Sequence, residues 1–170
     1  LHSAINLMNE SDNLTAELFV KSIGALDTLP GTWKVGLDSI KSFLAKEVLI
    51  DTSNIRLADA SGVSRYNLTS AAQLNSLLKW MYNSKYKDDF LSTLPGGGWE
   101  NSTLEKRLIN ESDLVRAKTG GLSGVRNLAG YIKSKKYGDV AFSILMNGYT
   151  DYSSRYARVH DQIVKTIIYD

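Results

Sequence analysis

The sequence predicts an α/β fold in which an antiparallel sheet is covered by helices, and three observations carry that expectation. Apolar residues recur at helical spacing in the first third of the chain, strand-like runs separated by turns fill most of the last third, and a helix with one apolar face closes it. No internal repeat or low-complexity segment interrupts this order.

Leu1 to Gly24 reads as two helical pieces broken by Asn9-Glu10-Ser11-Asp12-Asn13, whose short polar side chains suit capping of the second piece, while Gly24 suits its end. Trp33, Leu37, Ile40, Leu44 and Val48 fall on one face of the next helix, with Lys34, Asp38, Lys41 and Lys46 on its other faces. Ile55 and Leu57 alternate with Arg56 and Ala58 in a short strand that runs into a serine-containing loop, Asp59 to Asn67. Ser70 with Gln73 makes a capping box, and Leu74, Leu77, Leu78 and Met81 form the buried stripe behind it. Leu94-Pro95-Gly96-Gly97-Gly98 is a loop and not a nucleotide cradle, because no Lys-Ser/Thr pair follows the glycines. Leu114 to Lys118, Asn127 to Ser134 and Val140 to Asn147 read as strands, the last two joined by a turn at Tyr137-Gly138-Asp139. The run Val140 to Met146 is largely apolar on both faces, which suits a strand covered on both sides. Tyr152, Tyr156, Val159, Ile163 and Ile167 then mark a C-terminal amphipathic helix available to cover the sheet.

Composition narrows the function classes. A chain of 170 residues with 43% hydrophobic content can bury a sizeable core and is not disordered. Its net charge of +2 is spread along the chain, so no nucleic-acid partner is expected, and Lys133, Lys135 and Lys136 read as a solvated turn. No apolar run approaches the roughly 18 residues that a transmembrane segment needs. The absence of cysteine excludes disulfides, thiolate zinc sites and a cysteine nucleophile. His2 and His160 lack ligand spacing, so neither metal nor cofactor is expected, and both read as surface or helix residues. A Ser-His-Asp triad would have to recruit one of these histidines, and no nucleophile elbow accompanies them. Because the chain opens with Leu1 inside an apparent helix, a fragment or processed product is expected.

Serine chemistry with a lysine base remains. Its pattern is Ser-x-x-Lys, a Ser/Asn element and Lys-Thr-Gly. Lys118-Thr119-Gly120 supplies the last of these: a point charge, a hydroxyl donor, and glycines at 120 and 121 against which a ligand backbone can lie. The agreement extends to Asp59-Ala60-Ser61-Gly62-Val63-Ser64-Arg65-Tyr66-Asn67, Val115-Arg116-Ala117 before the lysine, Leu122-Ser123-Gly124-Val125 and Leu128-Ala129-Gly130-Tyr131 after it, and Asn147-Gly148. Asn9, Ser11-Asp12-Asn13-Leu14 and Ala16-Glu17 add a match near the start. Over nearly its whole length the chain resembles the class C low-molecular-mass penicillin-binding proteins, the penicillin-binding protein 4 type of D-alanyl-D-alanine carboxypeptidase.

That resemblance implies the C-terminal portion of a β-lactamase/transpeptidase-like domain, helical over about 1–110, with sheet and final helix over about 111–170. It implies a serine-type carboxypeptidase or endopeptidase that acts on peptidoglycan stem peptides through an acyl-enzyme, binds β-lactams and works outside the cytoplasm. A non-catalytic binding or scaffolding fragment is the alternative. By the same resemblance, Lys118 and Thr119 hold the terminal carboxylate, Gly120 and Gly121 pair with the substrate backbone, and the Gly121 N–H forms part of an oxyanion hole. Ser64 relays a proton to the leaving amine, and Asn67 bonds the substrate amide. The family element is Ser-x-Asn, whereas two residues separate Ser64 from Asn67, so Tyr66 competes with Asn67 for the asparagine slot. The family's Ser-x-x-Lys lies upstream of the Ser-Asn element. Ser76-Leu77-Leu78-Lys79 and Ser84-Lys85-Tyr86-Lys87 follow Ser64 instead and read as helix-surface coincidences. The nucleophile is therefore expected outside this chain, in a missing N-terminal part of the same domain or in another chain, and apolar surface is expected where that part packs.

Overall fold

Residues 1–27 and 29–170 are described by a computed structural model. Helices α1 (His2–Glu10), α2 (Asn13–Asp27), α3 (Trp33–Lys46), α4 (Ala71–Tyr82) and α5 (Lys87–Thr93) precede the sheet. Strands β1 (Val115–Leu122), β2 (Val125–Ser134) and β3 (Gly138–Asn147) follow, and α6 (Ser153–Tyr169) ends the chain. The sheet is an antiparallel meander of order β1-β2-β3, leaving one edge of β1 and one edge of β3 free of strand partners among the described residues.

Local chemistry explains the boundaries. The break between α1 and α2 falls in the polar run, with Ser11 in the left-handed region at φ 62°. Asp12 then accepts from the N–H groups of Leu14 and Thr15 at 3.0 and 3.3 Å, satisfying donors at the start of α2 that have no helical partner. Thr32 caps α3 through the Val35 N–H, and the Ser70/Gln73 capping box of α4 is formed in both directions. Gly24 does not end α2, which continues to Asp27. It serves close packing instead: a Cβ there would lie 2.7 Å from the Thr32 carbonyl oxygen, and one at Gly36 would lie 2.0 Å from that of Val20. Two glycines thus let α2 and α3 cross nearly backbone to backbone. The strand expected at Ile55–Leu57 shrinks to a single bridge between Arg56 and Leu68.

The sheet is covered on both faces. On one side Val115, Ala117, Leu128, Ile132 and Phe142 meet Val164 and Ile168 of α6, and on the other Tyr131 packs with Leu78 of α4 and Leu94. The Tyr131 hydroxyl donates to the Leu78 carbonyl at 2.8 Å, fixing α4 over the sheet. The loop at 94–98 is a buried seam: Pro95 O accepts from the Ala117 N–H at 3.0 Å, and a Cβ on Gly97 would meet Leu108 O at 1.9 Å.

Helix α6 turns a different stripe to the sheet than its periodicity suggested. Ala157, His160, Val164 and Ile168 are its buried residues; of the expected stripe, Ile167 packs against the core and Tyr156 stacks on Tyr149, while Tyr152, Val159 and Ile163 are 76%, 39% and 37% exposed. Small and polar residues at 157 and 160 hide the true contact face from a hydrophobicity pattern. His160, expected on a surface or helix, is on the helix but fully buried. Leu14, Leu18 and Leu26 on α2 are exposed. Among the described residues, no helix is long and apolar enough to cross a membrane.

Candidate active site

The Lys-Thr-Gly strand forms one wall of an open cleft of about 830 Å³. It is bordered by the α1–α2 turn with Ser11 and Asn13, the segments around Arg56 and from Ser61 to Thr69, β1 from Lys118 to Leu122, and Val125, Asn127, Leu145 and Asn147 of β2 and β3. Among the described residues no Asp or Glu lines it, while Arg56, Arg65 and Lys118 do.

Lys118 is half-buried, and burial pushes its ammonium down to about 8. Its Nζ donates to Ser11 Oγ at 2.7 Å and to the Thr119 carbonyl at 3.1 Å. The hydroxyl that meets Lys118 is therefore that of Ser11, not Ser64. Ser11 can turn outward because the neighbouring aspartate takes over the capping. Asp12 accepts from two backbone N–H groups and from the Thr15 hydroxyl, and these hydrogen bonds, the Thr15 hydroxyl first, hold its carboxyl below the usual range. Asn9 anchors the helix behind this turn by donating to the Thr93 carbonyl at 3.3 Å, while its own carbonyl accepts from the Thr103 N–H.

Ser64 and Asn67 lie on the facing loop, where their polar atoms are used locally. The Ser64 N–H donates to Asp59 Oδ2 at 2.6 Å, and its Oγ accepts from the Tyr66 N–H at 3.2 Å. Asn67 closes the loop: Oδ1 accepts from the N–H groups of Ala58 and Asp59 at 2.7 and 3.3 Å, and Nδ2 donates to Asp59 Oδ1 at 2.6 Å. Both ends of the Asn67 amide are thereby occupied. Tyr66, the alternative for the asparagine slot, is 67% exposed, with the Arg56 guanidinium 5.2 Å from its ring centroid. Two further ties immobilise the loop. Glu17 on α2 accepts from the N–H groups of Ala60 and Ser61, and Arg65 reaches across to the Ser123 carbonyl at 2.7 Å.

The spacing Ser-x-Asn occurs at Ser11-Asp12-Asn13, and the structure brings that tripeptide, not Ser64 and Asn67, against Lys118. The signal was present in the sequence as a three-residue pattern. What concealed it was the 107-residue separation between Ser11 and Lys118. Ser76 and Ser84, with Lys79 and Lys85, line a separate groove by α4, and neither Ser-x-x-Lys tetrad borders the Lys118 cleft. Among the described residues, no cluster of His, Asp and Glu could hold a metal.

A meander sheet sandwiched between α4 and α6, with a Lys-Thr-Gly edge opening on a cleft, is the architecture of the penicillin-binding, transpeptidase-like class of proteins. Within that class the chain belongs to the D-Ala-D-Ala carboxypeptidase 3 (S13) family, whose model matches residues 2–167. It is 35% identical over 152 residues to the D-alanyl-D-alanine carboxypeptidase of Actinomadura sp. strain R39, covering 86% of this chain and 28% of that protein. It is 32% identical over 148 residues to a D-alanyl-D-alanine carboxypeptidase of Haemophilus influenzae, covering 85% of this chain and 31% of that protein. The crystal structure of penicillin binding protein 4 from Haemophilus influenzae matches with a TM-score of 0.88 at 26% identity, covering 99% of this chain and 40% of that one. The chain thus spans less than a third of the length of these two curated relatives.

Proposed function

We propose that this chain forms one wall of the active site of a serine D-alanyl-D-alanine carboxypeptidase or endopeptidase, acting on peptidoglycan stem peptides outside the cytoplasm and binding β-lactams. The observation that carries this reading is the 2.7 Å contact between Lys118 Nζ and Ser11 Oγ at the mouth of a cleft without carboxylates. Acyl transfer to a serine needs an anchor for the substrate's carboxylate, an oxyanion donor and a hydroxyl that passes a proton to the leaving amine. Lys118 and Thr119 supply a cation and a neutral donor for the terminal carboxylate. Gly120 and Gly121 leave the free edge of β1 open for an extended peptide, with the Gly121 N–H directed at the scissile carbonyl.

The relay and amide-holding roles belong to Ser11 and Asn13 in this reading. A protonated Lys118 donates to Ser11 Oγ, which leaves the serine's own proton free to turn towards the leaving nitrogen. Asn13 lines the same cleft with an exposed side chain, whereas the Asn67 amide is already occupied. Ser64 and Asn67 then shape the opposite wall.

The attacking serine and its lysine are assigned to chain outside these 170 residues, either the rest of the same domain or another chain. The small share of the relatives' length spanned here supports that assignment. A fluorescent penicillin tests it. Covalent labelling of the 170-residue chain alone would overturn the external nucleophile. If a form extended before Leu1 labels and Lys118→Ala abolishes the label, the enzyme reading stands. An extended form that never labels would leave a binding or scaffolding fragment.

A further inference from the structure

Directly across the β1–β2 ladder from Gly121 stands Arg126. Its neighbours Val125 and Asn127 line the cleft, so Arg126 projects to the opposite face with Leu128, the face covered by α6. There its guanidinium lies under Gly121: a Cβ added to that glycine would sit 3.2 Å from Arg126 Nη1.

The surroundings compensate this cation only at a distance, through the field of Asp161. Asp161, the nearby carboxylate, is held by Arg107, whose Nη2 donates to it at 2.8 Å and to the Ala157 carbonyl at 3.2 Å. Arg126 has no ion-pair partner among the described residues, and its buried Nε has no hydrogen bond. His160 beside it is kept neutral, pushed down to about 4 by burial and by the charges of Arg107 and Arg126. The Tyr149 hydroxyl, also near Arg126, is buried without a partner. An unpaired, partly buried guanidinium is costly, so its place directly behind the cleft's glycine strand calls for a role.

We propose that Arg126 is a positioning residue for Gly121, propping the strand edge from behind and setting a fixed positive charge behind the N–H that faces the substrate carbonyl. The proposal rests on the reading of Gly121 as oxyanion donor only for its catalytic consequence. The structural part stands by itself. A preorganised donor loses effectiveness when its backbone drifts, and a fixed charge behind it stabilises developing negative charge at no cost of reorganisation. The same packing favours glycine at 121, since a Cβ there would press on the guanidinium from 3.2 Å.

Amide hydrogen exchange on the 170-residue chain tests the prop. Replacing Arg126→Met should raise exchange at Gly120, the adjoining amide on the side of β1 that bonds to β2, by about 10-fold or more while leaving Ile132 in the core unchanged, and Arg126→Lys should stay close to the parent. Unchanged exchange at Gly120, or an equal rise at Ile132, overturns the proposal. In an extended form that acylates with penicillin, Arg126→Met should slow acylation by about 10-fold with a thermal midpoint no lower than the parent's, and Arg126→Lys should restore most of the rate. Arg126→Lys failing as badly as Arg126→Met would refute the charge component. If no extended form acylates, the enzyme reading fails and the exchange experiment still decides the prop.

Discussion

Ser11 and Ser64 occupy turns built on the same plan, each tied by an aspartate that accepts several backbone N–H groups, yet their hydroxyls point to different ends. In the α1–α2 turn, Asp12 takes the whole capping task, and Ser11 in the left-handed region is free to meet Lys118. In the facing loop, Asp59 gathers the N–H groups of Gly62 and Ser64 and the amide of Asn67, and the Ser64 hydroxyl is turned back onto Tyr66. A polar side chain satisfied within its own turn builds a wall. One left without a local partner is available for chemistry across the cleft.

The sharpest way to separate the two walls is to remove the cation they face. Lys118→Ala should weaken binding of a D-Ala-D-Ala peptide by about 100-fold, as expected for a charge-assisted contact, measured by NMR titration or by penicillin labelling of an extended form. An effect of less than a few-fold would place the carboxylate elsewhere. Next in size, Asp59→Ala should lower stability by about 2 kcal/mol, because three donors lose their acceptor together, and should open the loop at 58–67 to proteolysis. Thermal unfolding with the loop left uncut would show that Glu17 and Arg65 suffice to hold it.

The hydroxyls themselves discriminate more finely. Ser11→Ala should reduce acylation of an extended form by about 10-fold with little change in stability, whereas Ser64→Ala should shift stability by no more than about 1 kcal/mol and acylation less. The reverse order would return the relay to Ser64.

Ionisation of Lys118 gives an independent check with two opposite signs. Carboxylate binding should fall as pH rises through about 8, where the folded-state ammonium loses its proton. Stability of the ligand-free chain should rise between about 8 and the ordinary lysine value of 10.5, because there the unfolded state binds the proton that the folded state has released. Lys118→Met should flatten both profiles.

Much of the fold was legible because the signals are local. The Ser70/Gln73 box, the strand runs at 127–134 and 140–147, and the polar break at 9–13 each declare themselves within a few residues, whereas β1 runs on to Leu122 and β2 begins at Val125. The errors arise where packing overrides pattern. Gly24 looks like a terminator but is a contact point with α3, and α6 buries Ala157 and His160 while Val159 and Ile163 face outward. Hydrophobicity ranks side chains, but a close-packed interface selects for size and shape, so alanine and a neutral histidine can occupy it.

By itself the amino-acid sequence determined the class of the protein, the antiparallel sheet between helices, and Lys118-Thr119-Gly120 as the motif to look for on a strand, since each is written in short contiguous motifs. Only the tertiary structure decided which serine meets that lysine, which asparagine is free, and that Arg126 stands behind Gly121. Those choices depend on where the α1–α2 turn and the side chains beneath the sheet come to rest, and contacts between residues 107 positions apart leave no trace in local spacing.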